Sequence, residues 1–214
     1  MGQRSCVAVL AALTIALAGG CAEQNEKPSA SASPTASPSP TASPVTPGPP
    51  WYDEVAAAPA GVTVGEAGST CELPVTFSVP TGWKVRSMEG KAAQLDLGDT
   101  ELWCEIDARP SGVTGFVRVW RINGVAGGTE PHLKHFLNQY APESADAEYR
   151  RIKAGKVDAF EASYFKDGGG SVRDRAIAMA SLYGPVVLTL DTPDTEELLP
   201  AYQLVKQSAR VRRY

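Results

Sequence analysis

The chain has 214 residues and a formal net charge of −4 at pH 7, with 43% hydrophobic and 21% charged residues. These fractions are ordinary for a globular protein and exclude a wholly disordered chain. The mild acidity argues against indiscriminate binding to nucleic acid, so we expect no nucleic-acid partner.

The amino terminus has the pattern of an export signal. Arg4 supplies one positive charge, and Cys6 to Ala18 form an almost unbroken apolar run, which at about thirteen residues has the length of a signal-peptide core. A membrane-spanning helix needs about 20 apolar residues, so a plain transmembrane anchor fits less well. The first residues also begin like an N-myristoylation site, but Cys6 stands where that motif takes Ser or Thr. We therefore predict a signal peptide over residues 1–20.

The apolar run ends in Leu17-Ala18-Gly19-Gly20-Cys21. This ending resembles the bacterial lipobox, in which small residues precede a cysteine that is diacylated before the signal is removed. Leucine stands one place further from the cysteine than in the commonest version. The resemblance implies that diacylglycerol on Cys21 anchors the protein to the outer face of the cell membrane, as an extracytoplasmic lipoprotein.

Residues 21–50 are predicted to be a tether. From Pro28 to Pro50 the chain is nearly all Ser, Ala, Thr and Pro, and Val45 is its one large aliphatic residue. Such a segment cannot offset the entropy of ordering. Its prolines favour polyproline II at about 3.1 Å per residue, or roughly 70 Å in all. We interpret it as a solvated stalk, whose composition also suits O-glycosylation.

Residues 51–214 are predicted to form a single domain that opens with strands. The alternating segment Val75–Val79 and the turn Pro80-Thr81-Gly82 lead to Trp83 and Val85, which predicts an opening hairpin. Further strands are predicted over residues 95–97, 102–108 and 116–122. The first half of the domain is therefore expected to be a meander.

The pattern then becomes helical. An apolar stripe at the spacing i, i+3, i+4 and i+7 predicts an amphipathic helix, with Thr129 as its N-cap and Pro131 in its first turn. The stripe consists of Leu133, Phe136, Leu137 and Tyr140. Strands are predicted again over residues 148–154, 159–165, 172–182 and 186–190.

A last helix is predicted over Pro200–Ala209. Because proline disrupts a helix interior, we expect Thr195–Leu199 to be a separate turn and Pro200 to open the helix. The element order of strands, helix, strands and helix predicts an α+β fold, in which a mostly antiparallel β-sheet is flanked by helices.

Three short segments resemble the PsbP-like family. Val75-Thr-Phe-Ser-Val-Pro-Thr-Gly-Trp83 is similar to that family's opening strand and Pro-x-Gly-Trp turn, and Lys156-Val-Asp-Ala-Phe160 occupies the place of its mid-domain hairpin. Ser208-Ala209-Arg210-Val211 resembles the end of its last helix, although Ala209 replaces the expected large apolar residue. Actinobacterial lipoproteins of the LpqN and LpqT type carry this fold on Ser/Pro tethers. The resemblance implies a PsbP-like fold and a non-catalytic binding or assembly module.

The four cysteines divide by position. Cys6 leaves with the signal and Cys21 takes the lipid, so Cys71 and Cys104 remain in the domain. In an oxidising compartment such a pair predicts a disulfide. Cys104 is expected to share its strand face with Leu102 and Ile106, which fits a buried bridge.

A zinc site is the alternative for these cysteines. It would add His132 and His135, the two histidines of the chain. Both are predicted on the solvated side of the helix, away from the apolar stripe, and outward imidazoles do not converge with inward thiols. We therefore expect no metal and no other cofactor.

Catalytic motifs are weak. The sequence has no Gly-x-Ser-x-Gly elbow, and Ser171 follows three glycines in a predicted turn. The carboxylate pairs Glu101/Glu105 and Glu196/Glu197 have the spacing of solvated strand and helix-start positions. We predict that the protein is not an enzyme; the alternative is an envelope hydrolase acting on a cell-wall ester or glycan.

A partner-binding face is predicted at Arg118 and Trp120, which share one strand face. Arginine and aromatic side chains are enriched at interaction hot spots, and the partner would be an unknown envelope protein or polymer. The competing interpretation is structural: strand arginines would pair across the sheet with Glu101, Glu105 and Asp107.

Overall fold

The computed structural model describes residues 48–91, 95, 97–168 and 172–212. The predicted signal peptide, Cys21, Ser171 and all but the last residues of the predicted tether lie outside these ranges. Within them, no helix is both long enough and apolar enough to cross a membrane.

Ten strands and two α-helices make up the described domain. In chain order they are β1 (Val62–Val64), β2 (Val75–Val79), β3 (Lys84–Ser87), β4 (Thr100–Asp107), β5 (Phe116–Ile122), α1 (Thr129–Tyr140), β6 (Ala145–Ala154), β7 (Val157–Phe165), β8 (Asp174–Met179), β9 (Val186–Asp191), α2 (Thr195–Ser208) and β10 (Arg210–Val211). A short 3-10 helix, Arg109–Ser111, lies between β4 and β5. The predicted α+β class is confirmed.

Seven strands form the large sheet, in the order β3-β4-β5-β9-β8-β7-β6, and every neighbouring pair is antiparallel. Two meanders, β3 to β5 and β6 to β9, therefore meet where β5 pairs with β9, with Trp120 opposite Val187. The small sheet has the order β1-β2-β10 and is also antiparallel.

The predicted opening hairpin is wrong. β2 pairs with β1 and β10 in the small sheet, whereas β3 pairs with β4 in the large sheet. The turn between β2 and β3 includes Gly82 with φ +88° and carries the chain from one sheet to the other. The strand predicted at 95–97 is also wrong, because Leu97 forms only an isolated bridge with Thr100.

Alternate residues of the large sheet face two different cores. On one side, which we call the α1 face, Trp120 and Phe160 pack with Leu133 and Phe136 of α1. The other side, the α2 face, packs against α2 and the small sheet, and its core includes Val119, Tyr202 and Phe77. The period-two alternation of the strands thus divides the interior into two layers.

The two helices differ in how well their ends were predicted. α1 spans the predicted residues, although Gly128 rather than Thr129 is its N-cap. α2 begins at Thr195, so the prediction that Pro200 opens it is wrong. The Asp194 side chain accepts a hydrogen bond from the Glu196 amide (3.0 Å) and caps the longer helix. Leu198 and Leu199 are buried, and this packing holds the first turn in the helix despite the proline.

The predicted disulfide joins Cys71, in the loop after β1, to Cys104 on β4, with Cα atoms 6.0 Å apart. Both cysteines are buried. The prediction that Leu102 shares their face is wrong, because a β-bulge at Trp103 shifts the register between Leu102 and Cys104. Leu102 consequently packs on the α1 face, while Cys104 packs on the α2 face.

The first described residues form a strap, residues 48–55, that contacts β6, β7 and α2. Arg150 and Lys206 both contact the carboxylate of Asp53, the latter at 2.7 Å, and both also contact the fully buried carboxylate of Glu161. The guanidinium of Arg150 lies 4.2 Å from the ring centre of Trp51. Buried ion pairs depend strongly on geometry, so this cluster fixes where the chain enters the domain.

Removal of the disulfide should weaken the fold. Because the bridge closes a loop across a sequence separation of 33 residues, the double variant Cys71→Ala/Cys104→Ala should lose about 3–4 kcal/mol of unfolding free energy in the chain-entropy model. Urea unfolding of the variant and of the reduced wild type should give the same loss. Free thiols at both positions in protein purified without reductant would contradict the bridge.

Acid should loosen the strap. Burial raises the pKa of Asp53, but its hydrogen bonds from Arg150 and Lys206 outweigh burial and lower that pKa to about 2 from the usual 3.8. A lowered folded-state pKa means that the stabilisation is present above pH 3.8 and is lost as the pH falls towards 2. The unfolding free energy of wild type should therefore fall more steeply over that range than that of Asp53→Asn.

The exposed neighbour Glu54 provides the control for this comparison. Glu54→Gln should keep the wild-type slope of unfolding free energy against pH. Equal slopes for wild type and Asp53→Asn would show that the strap carboxylate does not stabilise the fold.

Candidate functional site

Trp120 is not part of an exposed face. Its side chain is 2% exposed, and its indole Nε1–H donates to the Thr189 hydroxyl (3.0 Å). The rings of Phe136 and Tyr140 each lie 5.5 Å from it, centre to centre. The expectation of an exposed Trp120 is wrong because α1 packs across this end of the α1 face.

Arg118 shares that face but lies beyond the cover of α1. Its guanidinium contacts Asp191 and donates to Glu105 at 3.2 Å, and its side chain is 18% exposed. Glu101 likewise forms an ion pair with Arg121, directly opposite it across β4 and β5. The structural interpretation of the strand arginines is therefore confirmed, and Arg118 is held by two carboxylates.

The histidines do not form a site with the cysteines. His132 is 4% exposed, with Nδ1 2.9 Å from the Gly128 carbonyl oxygen, so its predicted solvated position is wrong. It lies in the first turn of α1, close to the preceding loop. His135 Nε2 lies 2.9 Å from a carboxylate oxygen of Asp99. Among residues 48–212 that are described, no group of three or more His, Cys, Asp or Glu could hold a metal ion.

The turn between β8 and β9 exposes two large apolar side chains. Leu182 is 72% exposed and Tyr183 is 71% exposed. The Ser181 hydroxyl donates to the Gly184 carbonyl and accepts from the Tyr183 amide (3.2 Å), and Gly184 has φ +100°. Ser181 and Gly184 thus set the geometry of the turn. We call residues 181–184 the hairpin tip.

A cleft of about 530 Å³ lies beside the hairpin tip, and Tyr183 forms part of its rim. Trp103 and Arg121 also line it. Strands β3, β4, β5 and β9 all contribute to it or end at it, so it extends across about three strand spacings, or roughly 14 Å.

Two residues that line the cleft, Trp103 and Arg121, contact each other. Trp103 is the extra residue of the β4 bulge, and Arg121 lies over it with Cζ 4.6 Å from the ring centre. Glu101 pairs with the same guanidinium. The cation–π contact and the ion pair together restrict the Arg121 side chain, which reduces the side-chain entropy lost on binding.

The loop that carries Cys71 forms another wall of the cleft. Glu72 accepts a hydrogen bond from Arg212 (2.6 Å), and the Arg212 amide donates to the Pro74 carbonyl (3.0 Å). The hydrogen bonds from Arg212 and from the Gly68 amide lower the pKa of Glu72, which keeps it ionised. The disulfide, the ion pair and the backbone bond fix this wall to the rest of the domain.

A family model described as an uncharacterised lipoprotein matches residues 41–209. The chain belongs to this lipoprotein family. The match includes the whole hairpin tip and, of the cleft residues named above, all except Arg212. Membership agrees with the lipobox predicted at Cys21, which lies outside both the matched and the described residues, and with an envelope location.

Comparison with other known proteins adds a fold likeness. No curated protein matches the chain. The solution structure of cyanobacterial PsbP (CyanoP) from Synechocystis sp. PCC 6803 is similar to the lipoprotein with 13% sequence identity and a TM-score of 0.43, over 65% of this chain and 87% of that chain. A likeness at this level carries no functional information, and the LpqN and LpqT type stays a prediction.

The lipoprotein's tip and strap lie at opposite ends of β8. Ser163, opposite Arg175 in register, donates to the Pro50 carbonyl of the strap (3.2 Å). Met179 ends β8 four residues later, just before the tip, at a distance of about 13 Å along the strand. The chain therefore enters the domain at one end of β8, and the tip and cleft are at the other.

Sequence reasoning missed this site for two reasons. The sequence pattern predicts one strand over residues 172–182, which puts Leu182 in a sheet rather than in a turn. The position of Trp103 depends on the β-bulge in β4, and no residue pattern predicts that bulge. The available signal was the segment Ser181-Leu182-Tyr183-Gly184-Pro185, in which two large apolar residues stand between turn-forming ones.

Proposed function

We propose that this lipoprotein is a non-catalytic binding or assembly module of the cell envelope, held on the outer face of the membrane by diacylglycerol on Cys21. Its binding surface is the hairpin tip with the adjacent cleft, and its partner is an envelope protein or polymer. The observation that carries the proposal is the exposure of Leu182 and Tyr183 on a turn beside the cleft.

Exposed apolar side chains of this size gain free energy when a partner removes them from water. Burial of a Leu or a comparable side chain contributes roughly 1.5–3 kcal/mol. Tyr, Trp and Arg are the residue types most enriched at interface hot spots, and the tip and cleft place Tyr183, Trp103 and Arg121 together. The fixed ion pairs around the cleft lower the entropic cost of binding.

The placement of the surface supports presentation away from the anchor. The chain enters at the strap, whereas the tip is at the other end of β8. A tether from Cys21 to the strap would add tens of ångströms of reach, since an extended Pro-rich chain rises about 3.1 Å per residue. The tip can thus meet partners beyond the membrane surface.

Loss of the lipidated cysteine should release the protein. Cys21→Ser should leave the precursor uncleaved or shed it into the medium, because the acyl chains that hold it in the bilayer are no longer attached. Detergent partitioning and the mature amino terminus measure this. A Cys21→Ser protein that is cleaved normally and still partitions into detergent would contradict the anchor.

Loss of the tip should remove the partner. In intact cells treated with a lysine-reactive cross-linker, Leu182→Ser/Tyr183→Ser should reduce the yield of cross-linked partners at least tenfold, as measured by mass spectrometry. Val172→Ser changes another exposed apolar residue, near the start of β8, and should leave the yield unchanged.

Both variants should unfold at the wild-type denaturant concentration, because exposed substitutions rarely change stability by more than about 0.5 kcal/mol. Retention of every partner by the tip variant would contradict the proposed surface. Turnover of a cell-wall ester or glycan by the purified protein would contradict its non-catalytic nature.

A further inference from the structure

We propose that the lipoprotein has a second binding site, for a small monocarboxylate with an apolar body, in a cavity between the strap and the first turns of α2, with Arg175 as its anion-binding group. This site lies at the strap end of β8 and is independent of the hairpin tip and its cleft. Three features carry the inference: a buried guanidinium without a carboxylate partner, an excess of positive charge around it, and the size and lining of the cavity.

Arg175 is a buried cation that lines this cavity. The residue is 1% exposed. Its hydrogen bonds all come from Nη1, which donates to the Ser163 hydroxyl (2.7 Å) and to the carbonyl oxygens of Arg173 and Asp174. Nε is buried without a hydrogen-bond partner, and among the described residues no carboxylate forms an ion pair with Arg175. The Nε–Nη2 edge of the guanidinium therefore lacks an acceptor.

The charges under the strap leave one positive charge without a counter-charge. Arg150 and Lys206 share the carboxylates of Asp53 and Glu161. Two cations are thus matched by two carboxylates, and Arg175 is a third cation. Burial lowers the pKa of Arg175, although Glu161 attracts the guanidinium from a distance. Because a buried charge is costly until it is paired, a bound monoanion would stabilise this cluster.

The other charged groups at the cavity favour an anion with a single charge. The Nε of Arg173 donates to the Ser163 hydroxyl (2.9 Å), and the exposed Glu148 lies 3.5 Å from its Nη2. α2 begins at Thr195, and the positive end of its dipole favours an anion. Glu196, in the same turn, is exposed at the cavity. Its negative charge disfavours a more highly charged ligand such as inorganic phosphate.

The size and lining of the cavity favour a small acid with an apolar body. Its volume of about 220 Å³ is roughly seven times the 30 Å³ that one water occupies in the liquid. Pockets for drug-sized ligands are larger, at roughly 300–1,000 Å³. Pro49, Phe165 and Leu199 supply apolar lining. The apolar part of the ligand can pack there while its carboxylate faces Arg175.

The geometry of the guanidinium edge suits a carboxylate. Two parallel N–H groups, on Nε and Nη2, match the two oxygens of a carboxylate in a bidentate pair. Tyr52 of the strap lines the same cavity, with its ring centre 5.6 Å from Cζ of Arg175. Tyr52 is only half-buried, so its ring can turn towards solvent and admit the carboxylate to this edge.

Calorimetric titration of the full-length lipoprotein in detergent micelles at pH 7 tests the site, with benzoate as the probe. Benzoate should bind one-to-one with a Kd on the order of 0.1 mM, which a ligand of about nine non-hydrogen atoms can reach. Benzamide has the same shape without the charge and should bind at least about tenfold more weakly, because it leaves Arg175 without a counter-charge. Absence of benzoate binding, or equal affinity for the two compounds, would overturn the site. Inorganic phosphate that binds as tightly as benzoate would overturn the apolar monocarboxylate as its ligand.

Substitution of the arginine should weaken binding. Arg175→Lys keeps the positive charge but loses the paired N–H groups, so its affinity for benzoate should fall at least about tenfold. Arg86→Lys is the matched control, because Arg86 is a half-exposed arginine on β3 that donates to Asp107 (2.6 Å). This control should bind benzoate as the wild type does, and so should the tip variant Leu182→Ser/Tyr183→Ser. Wild-type affinity in a folded Arg175→Lys variant, or loss of binding in the tip variant, would contradict the assignment.

A measurement on the wild type keeps the test decisive if Arg175→Lys does not fold. In the ¹⁵N-labelled lipoprotein, saturating benzoate should move the Nε–H resonance of Arg175 downfield, because this group gains a hydrogen-bond acceptor. The Nε–H resonance of Arg86 should not move. An Arg175 resonance that stays in place while benzoate binds would overturn Arg175 as the anion-binding group.

Discussion

The Cys71–Cys104 disulfide is the constraint on which the cleft depends. It ties the loop after β1 to β4 beside the bulge that carries Trp103. The same loop then receives the carboxyl-terminal segment, through the Glu72–Arg212 ion pair and the backbone bond from Arg212 to Pro74. Without the disulfide, this irregular loop would gain conformational entropy, and its remaining contacts alone would have to keep it in place. The disulfide thus serves the surface as well as the stability of the domain.

A second constraint is the unequal cover of the large sheet. α1 crosses the Trp120 end of its face and turns those positions into core, whereas Arg118 of the same strand remains beyond the helix and is held by Glu105 and Asp191. On the α2 face, the ion cluster around Glu161 positions the strap. Such clusters contribute less net stability than apolar packing would, so we interpret this one as a device that specifies where the chain enters.

Local patterns predicted the regular elements well. β5 and α1 were predicted at their observed residues because their patterns are local. The period-two alternation of β5 and the i, i+3, i+4, i+7 stripe of α1 can each be recognised within a short segment. The burial of Trp120 depends on where α1 packs, and the burial of His132 depends on how the first turn of α1 begins. Both are features of the tertiary structure that a local sequence pattern does not contain. β1 and β10 have three and two residues, too few to show a period, and without them β2 could not be assigned to its own sheet.

The candidate site was harder to predict than the fold. The disulfide followed from cysteine arithmetic, but the bulge that separates Leu102 from Cys104 leaves no mark in the residue pattern. Leu182 and Tyr183 extend an apolar strand in sequence and form an exposed turn in space. The sequence alone does not distinguish an apolar residue buried in a strand from one exposed for binding. The distinction requires the position of the turn.

The most direct measurement of the central claim is hydroxyl-radical footprinting of Leu182, Tyr183 and Trp103 in intact cells and in the dilute purified protein. If the tip and cleft form the surface that the lipoprotein uses in the envelope, these side chains should be oxidised several-fold less in cells, while the exposed Val172 should react equally in both. Equal reactivity of the tip in cells and in dilute solution would contradict the account.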